Sequence, residues 1–354
     1  MDEVRSGVAR YAAAELQDWI GRMYLAAGVR RQDALATARV LVRTSLRGID
    51  THGVARVLVY LEKIRSGEIN AQPAFRENER AGVLYFDGDG GLGQSVASAA
   101  VGAAIARART APVVTAIIRG SGHLAALGLF ALEAAEQGMV ALICQETPPL
   151  MAPLGSSRAA IGNNPIAFAA PVAGGPPLVV DMATSVVARG NVLQAVRDGA
   201  VEIPLDWAIG PDGQPTTDPQ QALKGAMQPI AGHKGVGLAM MVQVLAGSLS
   251  GSATAASAAA HGATSSAGNV SAFLLVIDPA QVIGRVAFDD HMAAWLGTYL
   301  EAAGPSGRYP GQRAAQCEAD RAVGGIPVPA GIVRELERAG EIAGLPFDVA
   351  PLPG

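Results

Sequence analysis

Cysteine and charge are both scarce in this 354-residue chain, and no long apolar run is present. Cys144 and Cys317 are the only cysteines; they cannot build a disulfide framework and fit a reducing cytoplasm. Charged residues make up 16% of the chain against 50% hydrophobic, the reverse of a disordered composition, so the chain folds. Net charge is -4 and no Lys/Arg run forms a stripe for phosphates, which argues against nucleic acid as a partner. The longest apolar stretches, such as Gly235 to Gly247, carry glycines and Gln243 and are too short to cross a bilayer. The N-terminal MDEVRSGVARYAAAEL is charged and lacks the apolar centre of a signal peptide, so membrane and export are not expected. No Cys/His cluster has zinc spacing, and neither a G-x-S-x-G nucleophile elbow nor a P-loop occurs. Glycine is abundant instead, 43 residues with 22 prolines, which implies many tight turns and places where backbone can approach a ligand.

The length suits one large or two ordinary domains. Apolar spacing predicts a helical region over 8 to 48 and a helix from Gly53 to Gly67. It then predicts strands at Val83 to Phe86, Val113 to Ile118 and Met139 to Cys144, with helices at Gln94 to Arg109 and Leu124 to Gln137 between them. Thr147 to Pro171, rich in Pro, Gly and Asn, reads as loop. Leu178 to Val180 and Phe273 to Ile277 read as strands, and Gly235 to Leu249, His291 to Ala303 and Ala330 to Ala343 as helices. Gly247 to Gly268 is almost entirely Gly, Ala, Ser and Thr and reads as a mobile surface loop. No internal repeat is visible.

The densest chemistry lies between Arg43 and Arg56. His52 ionises near neutrality when unperturbed, and Arg43, Arg47 and Arg56 carry forked donors suited to a carboxylate, with Ser45 as a neutral donor. With Asp50 or Thr51 as cap, His52 falls in the first turn of the next helix, where the helix dipole favours a neutral imidazole. The bland alternative is a capped helix with surface arginines. Four of the five histidines, His52, His123, His233 and His261, adjoin glycine, and the first three precede a predicted helix. Gly232-His-Lys-Gly-Val-Gly237 places Lys234 among glycines at a helix start, an arrangement suited to an anion. Asp181, at the end of a strand, could accept from a ribose or simply cap a helix. Gly88-Asp-Gly90-Gly-Leu-Gly93 matches G-x-G-x-x-G between a strand and a helix. The next strand, however, ends in Arg119-Gly120 without the acidic residue that would hold a ribose, which weakens a Rossmann reading.

Seven motifs occur together in order: Arg47-Gly-Ile-Asp-Thr-His-Gly53, Gly122-His123, Gly162-Asn-Asn-Pro165, Asp181-Met-Ala-Thr184, Pro215-Thr-Thr-Asp218, Lys234-Gly-Val-Gly-Leu238 and Pro310-Gly-Gln312. In order and spacing, across nearly the whole chain, they resemble the malate/L-lactate dehydrogenase family of NAD(P)-dependent oxidoreductases, which is distinct from the Rossmann-fold lactate dehydrogenases. The resemblance implies an α/β fold of α+β type. A non-Rossmann nucleotide-binding domain with a largely antiparallel sheet (76–289) would stand beside a helical domain made from both chain ends (1–75 and 290–354). On that reading Gly88 to Gly93 is a turn in the sheet domain. The resemblance further implies a homodimer, NAD or NADP as cofactor, and a small carboxylate substrate: a 2-hydroxy, 2-oxo or cyclic imino acid. It places proton transfer on His123 and His52, and nucleotide contacts on Thr147, Asn164, Asp181, Met182, Ala183, His233, Lys234, Gly311 and Gln312. Ser45, Arg47 and Arg56 are the candidates for the substrate, with Arg47 slightly favoured over Arg56 for the carboxylate. His123 is favoured over His52 as the proton-transfer group. Two departures, Asn163 where the family usually has Thr and Val236 where an aromatic is common, bear on substrate identity. A Rossmann-type dehydrogenase using Gly88 to Gly93 and a nucleotide-binding relative without catalysis remain as alternatives.

Overall fold

The computed structural model describes residues 8–251 and 270–353. The predicted helical region at the start divides. Residues Ala9–Tyr11 form a strand (β1), followed by α1 (Ala13–Ala26) and α2 (Arg31–Leu46), which are separated at Gly28 with its positive φ. After two 3-10 turns comes α3 (Val57–Arg65). Each of the three helices carries an apolar stripe: Leu16, Ile20 and Met23 on α1, Ala34, Ala38 and Leu41 on α2, and Val57, Leu61 and Ile64 on α3. These stripes share one core with the chain's far end, where β11 (Ile326–Val328) pairs antiparallel with β1 and α12 (Ala330–Ala343) contributes Ile332, Leu336 and Ala339. Each large side chain buried there contributes roughly 1.5–3 kcal/mol.

The second core lies on a seven-stranded sheet in the order β2-β3-β4-β10-β5-β6-β7. The strands are β2 (Arg76–Arg80), β3 (Val83–Gly91), β4 (Val113–Ser121), β5 (Val140–Gln145), β6 (Ile166–Ala170), β7 (Leu178–Met182) and β10 (Val270–Ile277). Only β3 and β4 run parallel, and every other pairing in the sheet is antiparallel. This is not the doubly wound parallel sheet that a Rossmann reading requires. The helix α4 (Gly93–Ala108) packs Val96, Ala97, Ala100, Val101 and Ala104 onto it, and α5 (Leu127–Glu136), apolar on nearly every side, is buried beside it. A short β8–β9 ladder (Ala208–Ile209 with Ala226–Met227) lies apart, near α6 (Arg189–Arg197) and α7 (Pro219–Lys224).

Several expectations are corrected. Strand β3 runs on to Gly91 and Gly93 opens α4; the expected turn is a bulge within the strand, where Asp89 and Gly90 take positive φ and the register with β4 shifts between Asp87 and Gly91. Gly88 and Gly93 serve close packing. A Cβ at Gly93 would overlap the carbonyl oxygens of Gly122 and His123, and one at Gly88 would meet Gly120 O at 2.8 Å. Strand β6 lies inside the stretch read as loop, because its short alternating run Ile-Ala-Phe-Ala-Ala is flanked by proline on both sides. The helices α6, α7 and α11 (Gln312–Gly324) were not anticipated. The expected Gly/Ala/Ser loop lies largely outside the described residues, as does His261. Its first residues, Gly247 and Ser248, instead end a π-helical turn, Gln243–Ser248, that continues α8 (His233–Val242). The boundary expected at residue 290 falls within α10 (Arg285–Ala303), which follows the short α9 (Pro279–Val282) and whose Met292 and Leu296 pack with Ala170 and Leu178 of the sheet.

Candidate active site

The segment after α2 does not run straight into a helix. Asp50–His52 and Val54–Arg56 form separate 3-10 turns, with Gly53 between them at φ -94 and ψ -133. Ser45 is fully buried, and its Oγ accepts the Val54 N–H at 3.0 Å, so it pins this bend and does not line the cavity. Gly53 is required here, because a Cβ would overlap Ser45 Oγ. His52 therefore sits ahead of α3 rather than in its first turn, and the helix dipole is not what holds it neutral. Burial and the charge of Arg56 push its pKa down to about 4. Its Nδ1 lies 3.0 Å from Thr51 Oγ1.

His123 stands in the loop between β4 and α5. Buried glutamines hold its C-terminal peptide at both ends: Gln94 Nε2 donates to His123 O at 2.8 Å, and Gln145 Oε1 accepts from Leu124 N at 3.4 Å. The Tyr60 hydroxyl lies 2.9 Å from its Nδ1. Burial, then His52, Arg56 and Lys63, hold its pKa well below the ordinary imidazole value. The rings of His52 and His123 come within 5.7 Å, centroid to centroid.

The two candidate arginines are placed differently. Arg47 is almost buried and its Nη1 donates to Glu318 Oε2 at 2.6 Å; Glu318 also accepts from Arg43, which pairs with Glu136 as well. Arg56 donates Nε to Thr51 O at 2.7 Å and has no carboxylate partner among the described residues. Its guanidinium lies beside Gly190, at the start of α6, where a Cβ would come 3.2 Å from Arg56 Nη2 and 3.8 Å from His52 Cε1. The two arginines therefore differ in charge pairing: Arg47 is paired with a carboxylate and Arg56, among the described residues, is not. An anion approaching His52 meets an uncompensated cation at Arg56 and a neutralised one at Arg47.

Opposite the histidines stands β7. Asp181 is inside that strand, and its Oδ2 accepts the Gly128 N–H at 2.8 Å, which caps α5 from across the fold. Its side chain is open to the cavity yet surrounded by protein, and burial pushes its pKa up to about 6 against the opposing Gly128 N–H. Thr147 Oγ1 donates to Asn163 Oδ1 at 2.9 Å. Asn164 is turned inward: its Oδ1 accepts from Thr147 N at 2.9 Å and its Nδ2 donates to Ala239 O at 2.9 Å, so it ties the loop to α8. Gly311, at φ +104, lies against β7, where a Cβ would come 2.8 Å from Val179 N.

One cavity of about 1210 Å³ joins these parts. It is larger than the ~300–1,000 Å³ usual for a small-ligand site. His52, His123, Arg47, Thr147, Asp181, Met182, Ala183 and Gly311 all line it. Ser45, Arg56, Asn164, His233, Lys234 and Gln312 do not. His233 and Lys234 are exposed at the start of α8, which packs behind Thr184 through Gly235. Gln312 Oε1 accepts from Tyr309 N at 3.0 Å, which holds the Tyr309–Gly311 turn. Among the described residues no His/Cys/Asp/Glu group could hold a metal ion, and no helix is long and apolar enough to cross a membrane.

The sequence profile of malate/L-lactate dehydrogenase matches residues 11–337. The chain belongs to the malate/L-lactate dehydrogenase family. It is 36% identical over 315 residues to a (2R)-3-sulfolactate dehydrogenase (NADP(+)) of Chromohalobacter salexigens, covering 88% of this chain and 92% of that one. It is 34% identical over 342 residues to a Delta(1)-pyrroline-2-carboxylate reductase of Ancylobacter novellus, covering 94% and 97%. Among solved structures, malate dehydrogenase from Pyrococcus horikoshii OT3 superposes with a TM-score of 0.83 at 30% identity, over 99% of both chains. Tyr60 and Asn191 are not singled out by the sequence, and for the nucleotide it points to Asn164 over Asn163. Tyr60 was hidden in an apolar helical stripe. Asn163 is the neighbour of the asparagine chosen, and it lines the cavity where Asn164 does not.

Proposed function

We propose that this chain is an NAD(P)-dependent oxidoreductase that moves a hydride between nicotinamide and a small 2-hydroxy, 2-oxo or cyclic imino acid. The observation that carries the reading is the pair of imidazoles, brought within 5.7 Å from two distant segments and set in a cavity facing Asp181. The named relatives support it: sulfolactate, pyrroline-2-carboxylate and malate all carry a carboxylate.

The cavity wall fits a dinucleotide. Gly311 lets backbone crowd β7 where any Cβ would collide, and Asp181 offers a carboxylate to a ribose hydroxyl. We assign nucleotide contacts to Asp181, Met182, Ala183, Thr147, Asn163 and Gly311. Bound nicotinamide supplies or takes the hydride. His123 gives the proton to the substrate oxygen or nitrogen, or removes it in the oxidative direction. Arg56 holds the carboxylate beside His52, which orients the substrate. Both imidazoles are held neutral without ligand, which suits a base in the oxidative direction.

The test is a panel of 2-hydroxy, 2-oxo and cyclic imino acids followed by NADH and NADPH absorbance. Turnover of one class is expected. Nucleotide binding without turnover of any acid would make the chain a binding relative instead. Replacing His123 by Asn is expected to lower turnover by on the order of 10²–10⁴-fold while nucleotide binding survives. We further propose a cytoplasmic homodimer. Met240, Met241, Val244 and Leu249 leave an apolar face exposed on α8 and its extension, and the two cysteines are free. Sedimentation velocity giving a monomer at micromolar concentration would overturn the dimer.

A further inference from the structure

Tyr60 lies on the buried face of α3, between Val57 and Leu61, with its ring only 3% exposed. Packing alone would be served by phenylalanine. A buried phenol needs an acceptor for its proton, and the partners within reach decide which way that proton points. Among the described residues the Tyr60 hydroxyl has one hydrogen-bond partner, the ring of His123. Gln94, itself fully buried, donates its amide N–H to His123 O at 2.8 Å. The phenol proton is left one acceptor, His123 Nδ1 at 2.9 Å. A neutral imidazole that accepts at Nδ1 carries its hydrogen on Nε2, the nitrogen left for the cavity that His123 lines.

We propose that Tyr60 is a positioning residue which holds His123 as the Nε2–H tautomer and replaces its proton from behind during reduction. The inference rests on His123 being the proton-transfer group. The bonds balance as follows. As the substrate carbon takes up hydride, the Nε2–H bond breaks and the O–H (or N–H) bond of product forms. The Tyr60 O–H bond breaks and Nδ1–H forms, so no imidazolate appears. The charge rests transiently on the phenol oxygen, where burial pushes the phenol pKa up to about 12 and the nearby charge of Arg56 offsets part of that. Solvent returns the proton after product leaves, and the oxidative direction runs in reverse. Without the hydroxyl, Nδ1 has no donor, and both tautomers of His123 become populated.

The test uses Tyr60→Phe, which keeps the ring and its packing, beside His123→Asn. In ¹⁵N-histidine-labelled protein without ligand, near pH 8, the His123 resonances are identified by their loss in His123→Asn. The expected wild-type pattern is a pyridine-type Nδ1 and a pyrrole-type Nε2, and Tyr60→Phe is expected to average the two. Turnover in Tyr60→Phe is expected to fall ~10²-fold, with KM and nucleotide dissociation constant within about threefold of wild type. If His123→Asn loses turnover while Tyr60→Phe keeps both turnover and the ¹⁵N pattern, the role of Tyr60 is refuted and that of His123 stands. If His123→Asn itself turns over normally, the underlying reading fails first. A wild-type Nε2 of pyridine type would also overturn the proposal, whatever the kinetics.

Discussion

At single residues, the decisive question is which polar groups are already satisfied by protein. Arg47 and Arg56 are alike in sequence, but Glu318 neutralises Arg47 and leaves Arg56 uncompensated. Arg56→Lys is therefore expected to raise KM for the acid by about tenfold or more, since the fork is lost. Arg47→Lys is expected to leave KM near wild type and to lower the melting temperature instead. Steady-state kinetics with paired melts check this, and the opposite pattern would return the carboxylate to Arg47. Asp181 offers a second case. With its pKa pushed up to about 6, it is ionised above that pH and neutral below it. Nucleotide affinity is expected to fall about tenfold as the pH drops through 6, the difference between a charged and a neutral acceptor. Calorimetric titration at several pH values measures it, and Asp181→Asn is expected to show weak binding with no such step.

At the scale of elements, two glycines of the G-x-G-x-x-G stretch separate conformational from steric need. Gly90 has φ +72 with its nearest neighbour, Asn70 Cβ, 3.7 Å from an added Cβ, so Gly90→Ala costs only the left-handed strain, about 1–2 kcal/mol. Gly93 is walled by the carbonyls of Gly122 and His123, which belong to the loop that carries the proton-transfer histidine. Gly93→Ala is expected to cost at least about 1–3 kcal/mol and to depress turnover as well, because rigid backbone must yield. Denaturant melts with kinetics distinguish the two. Loss of nucleotide binding in a folded Gly90→Ala protein would contradict the packing role given to this stretch. The glycines were legible in the sequence, whereas their purpose was not. A strand–glycine–helix pattern is the same whether the glycines make space for a phosphate or for a neighbouring carbonyl.

For the whole molecule, burying two neutral imidazoles links stability to pH. The unfolded chain binds protons at about 6.5, whereas folded His52 does so at about 4 and His123 also well below 6.5. Below pH 6.5 the unfolded state therefore takes up more protons, and stability is full above that pH and declines as the pH falls toward 4. Asp181, raised in the fold, opposes this between about 4 and 6. The melting temperature of the ligand-free protein is expected to fall from pH 7 to 5, and His52→Asn is expected to flatten that slope. An unchanged slope in the variant would mean that His52 is not held neutral by burial. Sequence by itself determined the family and most of the chemical groups, because glycine-flanked motifs and apolar periods are local properties that survive without a fold; the antiparallel sheet with its helical companion followed from the family resemblance. Only tertiary structure decided which arginine is free, which asparagine faces the cavity, that His52 precedes its helix, and that Tyr60 stands behind His123. Each of those depends on a partner remote in the chain, such as Glu318 for Arg47, Ala239 for Asn164 and His123 for Tyr60, and no local pattern encodes that partner.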